Sequence, residues 1–156
     1  EVASADELYV QPCYWFGQSP IAEIGVDVLV APASAATMYI GFYQINSAGE
    51  PGEVLAETSI SIGTGTTGVV TATITTPVMF RRCFMAFIST VAMTLRGSNA
   101  SQGVLFDGQL GSVTDTQYSM LHATSATPTA LPTGITAWTP QRFGVDLPEM
   151  YAIYGA

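Results

Sequence analysis

Short apolar stretches separated by clusters of Gly, Pro, Ser and Asn recur along the chain, and this spacing is that of an all-β fold. The first stretch covers 8–16. In 21–30, Ile24, Val26, Val28 and Val30 alternate with Glu23, Gly25, Asp27 and Leu29, which predicts a strand with one apolar and one largely polar face. The run TMYIGFYQI at 37–45 carries large side chains on both faces, as a central strand covered on both sides would. NSAGEPGE at 46–53 supplies a turn. Strands are then predicted at 54–62, at 69–75 with Pro77 ending it, at 83–90 and, briefly, at 94–97; GTGTTG at 63–68 is a loop. No window has helical periodicity, and Thr and Gly are too frequent to favour a helix. The stretch 124–149, with Pro128, Pro132, Pro140 and Pro148, reads as a long loop interrupted by a short strand around 142–145, and 151–155 returns to a sheet. At 156 residues without repeat or linker, the chain 1–156 is expected to be one domain, a two-sheet antiparallel β-sandwich of about eight to ten strands.

Charge narrows the function classes. Lysine is absent, the cations are Arg81, Arg82, Arg96 and Arg142, and the net charge is −8, a balance that argues against nucleic acid and anionic membranes. The Arg81–Arg82 pair could grip a phosphate or carboxylate, but two arginines at a strand start are expected to be solvated. No apolar run reaches the roughly 18 residues of a membrane-spanning helix, so the protein is expected to be soluble. Glu1 is not an initiator Met, and the first residues lack the order of a signal peptide, so the start reads as a processed or trimmed end. Cys13 and Cys83 are too few for a disulfide scaffold and lack zinc-site spacing. Free buried thiols are the favoured reading, and a bond between adjacent strands stays open.

Catalysis needs a nucleophile with a base, paired carboxylates or a metal cluster, and the chain offers one histidine, His122, expected to be packed or at a strand end. GxSxG, a phosphate-binding loop ending in Lys, and HExxH are absent. Glu23 and Asp27 project from one strand face about 13 Å apart. That exceeds the roughly 5–10 Å of a glycosidase pair, so both are read as solvated. Glu50, Glu53 and Glu57 lack the spacing of a calcium loop. No enzyme, cofactor or metal is expected. Asn99-Ala100-Ser101 matches a glycosylation acceptor, which matters only in a eukaryotic secreted protein. Aromatic rings can stack on a sugar face, which makes Trp138, Tyr118 and Trp15 the candidate ligand-binding residues. Trp15 otherwise serves core or interface, and Trp138 otherwise packs its Pro-rich loop.

LYVQPCYWF, followed by IAEIGVDVLVAPASAATMYIGFYQINSAGEPGEVL, TGTTGVVTATIT and CFMAFIST, resembles in order a β-sandwich module of bacteriophage tail-fibre and other virion proteins. The shared marks fall on 24–26, 31–36, 39–43 and 49–55. The family's usual Pro-Gly turn before the last strand is replaced by 79–82, and the chain after Gly97 matches weakly, through Gly111 and the Pro-rich loop. The resemblance implies a jelly-roll-like sandwich on the particle exterior, as a homotrimer among other virion proteins, and it transfers no catalytic residue. The leading expectation is a receptor-binding or tail-fibre module recognising host surface glycan, and the alternative is a capsid-decoration or head-fibre protein with a structural role.

Overall fold

The computed structural model describes residues 2–14, 20–78, 82–98, 118–124, 128–135, 139–142, 147–148 and 150–154. All regular structure among them is β: β1 (Val2–Ala3), β2 (Glu7–Tyr14), β3 (Ile21–Val30), β4 (Ala36–Ile45), β5 (Pro51–Ile62), β6 (Gly68–Val78), β7 (Arg82–Ser89), β8 (Met93–Leu95), β9 (Gly97–Ser98), β10 (Tyr118–Thr124), β11 (Thr139–Arg142), β12 (Leu147–Pro148) and β13 (Met150–Tyr154). Two antiparallel sheets pack face to face. One has the order β1-β8-β3-β6, with β13 sharing the β8 edge of β3; the other has the order β11-β10-β2-β7-β4-β5.

Residues 2–95 fold as one long hairpin rolled into a sandwich. β4 pairs with β5, β3 with β6, β2 with β7 and β1 with β8, each pair enclosing the one before it. The partner numbers have the same sum at Val2↔Thr94, Leu8↔Ile88, Cys13↔Cys83 and Ile24↔Ala72, and the β4–β5 ladder, offset by two over Ala36–Phe42, returns to that sum at Ile45↔Pro51 through register shifts on either side of Tyr43. Successive pairs alternate between the sheets, which gives β1-β8-β3-β6 against β2-β7-β4-β5, the eight-stranded jelly roll. The apex is fixed by Asn46, whose Oδ1 accepts the N–H of Ala48 at 2.8 Å and of Glu50 at 2.9 Å, while Gly49 supplies φ 84°. The rolled hairpin places the connections 4–6, 31–35, 63–67 and 90–92 together at the end away from the apex. There the Thr37 N–H donates to Thr90 Oγ1 at 3.0 Å, and the Asp6 N–H to the Ser89 carbonyl at 2.9 Å.

The period-two alternation decides what is buried. Ile24, Val26 and Val28 of β3, Met38, Ile40 and Phe42 of β4, and Cys83, Met85 and Phe87 of β7 fill the space between the sheets. Tyr9 stacks on its cross-strand partner Phe87 with ring centroids 5.0 Å apart. Two glycines let strands approach closely. A Cβ on Gly41 would lie 2.1 Å from the Ala56 carbonyl oxygen, and one on Gly25 would lie 2.2 Å from that of Val70.

Three expectations are corrected. β6 continues through Pro77, in the stretch between Glu23↔Thr73 and Ile21↔Val78 where the β3 register shifts and a missing N–H breaks no regular ladder. Val30 is 56% exposed, because the β3 register shifts between Val28 and Val30. The stretch 124–149 contains β11 and β12, and it follows β10, a strand whose mixed sequence YSMLHAT carries no clear alternation.

Candidate functional surface

The outward face of the six-stranded sheet carries an apolar cluster of its own. Leu8 and Val10 of β2, Tyr43 of β4, and Phe84, Ala86 and Ile88 of β7 are buried there as a second core. Residues 128–135 cover it from outside. Leu131 is 3% exposed in this cluster, Pro128 is buried, and Ile135 packs beside them. Two hydrogen bonds fasten this strap: the Tyr43 hydroxyl donates to the Pro132 carbonyl at 2.6 Å, and the Leu131 N–H donates to Glu57 Oε2 at 2.9 Å. Part of the Pro-rich stretch therefore seals the sheet against water, as the two-sided apolarity of 37–45 requires.

Tyr43 senses that seal. Burial, with a smaller contribution from the Glu57 carboxylate, raises its phenol far above the usual 10. Unfolded Tyr43 ionises near pH 10 while the folded phenol stays protonated, so its contribution is complete below pH 10 and lost as pH rises from there toward the folded value. Denaturant titrations between pH 10 and 11 should show wild type losing about 1 kcal/mol more than Tyr43→Phe. Equal losses would show that the phenol is not held in this site.

The outward face of the five-stranded sheet has a different character. Leu29 is 50% and Val69 58% exposed, on one face of β3 and β6, and Val30 adjoins them at the strand end. Three of the four exposed large hydrophobics among the described residues thus gather here, Leu55 of β5 being the fourth. Beside them Asp27, the cross-strand partner of Val69, is 8% exposed and not solvated as its sequence position implied. Arg96 covers it: its backbone N–H donates to the Asp27 carbonyl at 2.8 Å and its Nε to Asp27 Oδ2 at 2.6 Å. The pair cancels its own charge. Thr71, Thr73 and Thr75 continue the exposed row of β6 beyond Val69 without any charge. Apolar groups around an arginine have the composition of an interface core, and Glu23, opposite Thr73, adds a carboxylate farther along this face.

The sequence-derived aromatics do not share this surface. Tyr118 opens β10 opposite Arg142 of β11, whereas Thr139, the residue after Trp138, pairs with His122. Those two points lie four strand residues apart, about 13 Å. Trp15 and Trp138 themselves lie outside the described residues, as do Arg81, Asn99 and Gly111. His122 sits within β10 facing Tyr9 of β2 in register. Glu50 lies in the apex turn, Glu53 and Glu57 lie on β5, and no group of metal-ligating side chains occurs among the described residues. Arg82 begins β7 and is exposed. No helix among them is long and apolar enough to cross a membrane. Sequence reasoning missed the Leu29–Val69 patch because Leu29 and Val69 look like ordinary core residues until register places them on the outer face.

No family model matches the chain, and no curated protein or solved structure matches it either.

Proposed function

We propose that this chain is a structural protein on the exterior of a bacteriophage particle, a jelly roll that assembles with copies of itself, and through them with other virion proteins, by the outer face of its five-stranded sheet. The supporting observation is the contrast between the two outer faces. One is sealed by the chain's own strap, and the other presents Leu29, Val30 and Val69 beside the Asp27–Arg96 pair. A second copy is the occupant that charge favours. Copies carrying −8 repel one another, and they can approach most closely where the surface is uncharged or internally paired. A homotrimer is the state taken from the resemblance to phage virion modules, which also supports the particle location. No catalytic role or cofactor is proposed.

The receptor-binding form of the reading rests on Trp138, Tyr118 and Trp15. The strap supports it in one respect: it precedes the outermost strand β11, the strand that follows Trp138 in sequence. Tyr118 and Thr139, the residue after Trp138, stand at opposite ends of the β10–β11 ladder. Electron microscopy of intact particles at modest resolution separates these roles. Symmetric copies on the capsid with no affinity of the isolated protein for host cells support decoration. A position at the tail tip, with adsorption lost in Trp138→Ala, supports receptor binding. Location inside the shell would contradict both.

A further inference from the structure

We propose that Cys13 and Cys83 are a disulfide-forming pair, closed by a small-molecule disulfide oxidant, that staples β2 to β7 from within the core. The two residues are direct antiparallel partners, Cys13↔Cys83. Directly opposed residues in such a ladder have Cα atoms about 4.5–5.5 Å apart, within the roughly 4.4–6.8 Å that a disulfide spans. Both side chains belong to the same face: Cys83 is buried in the inter-sheet core, and Cys13 packs against that cluster from a less buried position. Both thiols are free in the structure. The bond would therefore form between neighbours already in register, without moving a strand.

Their unequal settings give the order of events. The Cys83 side chain beside it lowers the Cys13 thiol below its usual 9, and burial raises that of Cys83. Cys13, as thiolate, attacks one sulfur of oxidised glutathione, breaking its S–S bond, releasing one glutathione thiolate and leaving a mixed disulfide. Cys83 then loses its proton and attacks the Cys13 sulfur, displacing the second glutathione. Two protein thiols are oxidised by two electrons, and one small disulfide is reduced to two thiols. The staple closes the loop that contains β3 to β6, the whole interior of the rolled hairpin, so its main effect is to restrict the unfolded chain.

The test treats the full-length wild-type chain with excess oxidised glutathione and follows intact mass, thiol count after denaturation, and thermal melting. The expected product is monomeric in covalent terms, lighter by two hydrogens, devoid of thiols, and raised in Tm by about 10 °C. Dithiothreitol should reverse all of these changes. Cys83→Ser, lacking the second nucleophile, should instead retain one glutathione on Cys13. Two thiols still present after denaturation of the treated wild type would overturn the proposal. So would a lasting glutathione adduct on wild type, or covalent dimers. The wild-type measurements decide the matter even where the Ser variant does not fold.

Discussion

Gly41→Ala is expected to destabilise the protein by about 3 kcal/mol or more, a loss read in denaturant melts followed by circular dichroism. The added methyl would lie 2.1 Å from the Ala56 carbonyl oxygen and 2.8 Å from the Glu57 Cα. Those neighbours are backbone, which cannot rotate aside as a side chain can. Relief requires β4 and β5 to separate where Gly41 faces Glu57, close to the register shift between Phe42 and Tyr43. β4 is also the strand that joins β5 to β7, so a displacement there reaches the centre of the sheet. Gly65, with open space around its missing Cβ, is the control: Gly65→Ala should change stability by under about 0.5 kcal/mol. A Gly41→Ala variant as stable as wild type would show that β4 and β5 are not this close.

Leu131→Ala should cost about 3 kcal/mol, a large effect for a residue in a Pro-rich connection. Leu131 is 3% exposed and fills the outer cluster formed by Leu8, Val10, Tyr43, Phe84, Ala86 and Ile88. Truncation removes its transfer free energy and leaves a cavity that prolines on either side of the strap resist closing. Hydrogen exchange should then quicken at 128–135 and at the outer-face residues of β7 ahead of the inter-sheet core. Tyr43→Phe, which loses only the hydroxyl bond to the Pro132 carbonyl, should cost about 1 kcal/mol. An effect of Leu131→Ala below about 0.5 kcal/mol would mean that 128–135 does not cover the sheet in solution.

Much of the sandwich was legible because its signal is local. The alternation of Ile24, Val26 and Val28 against Glu23, Gly25 and Asp27, and the turn residues at 46–50, need no partner to be recognised. The two-sided apolarity of 37–45 even announced that something must cover the outer face of β4. What covers it was not legible, because 128–135 has neither helical nor strand period and its burial follows from tertiary contacts of Leu131 and Tyr43. β10 escaped notice for the same reason, its pairing with β2 being set by a distant partner. Asp27 was misread as solvated since Arg96, its cover, lies 69 residues along the chain. The pairing of Cys13 with Cys83 was open in the sequence and became a register statement only when β2 met β7. Tyr118 lies at the start of β10, at the other end of the β10–β11 ladder from Thr139.

The nested register has a kinetic consequence. Every pair outside β4–β5 joins residues far apart in sequence, so loop-closure entropy must be overcome repeatedly and folding should be slow for a chain of this length.

The Leu29–Val69 face is the proposed contact between copies, and sedimentation equilibrium tests it most directly. Wild type should have a mass several-fold above the 16.4 kDa of one chain, three-fold for the trimer. The Leu29→Asp/Val69→Asp double variant, changed only at positions 50% and 58% exposed, should sediment as a single chain and keep its β-sheet circular dichroism. A wild type that stays a single chain across the concentration series, or a double variant that assembles as wild type does, would contradict it.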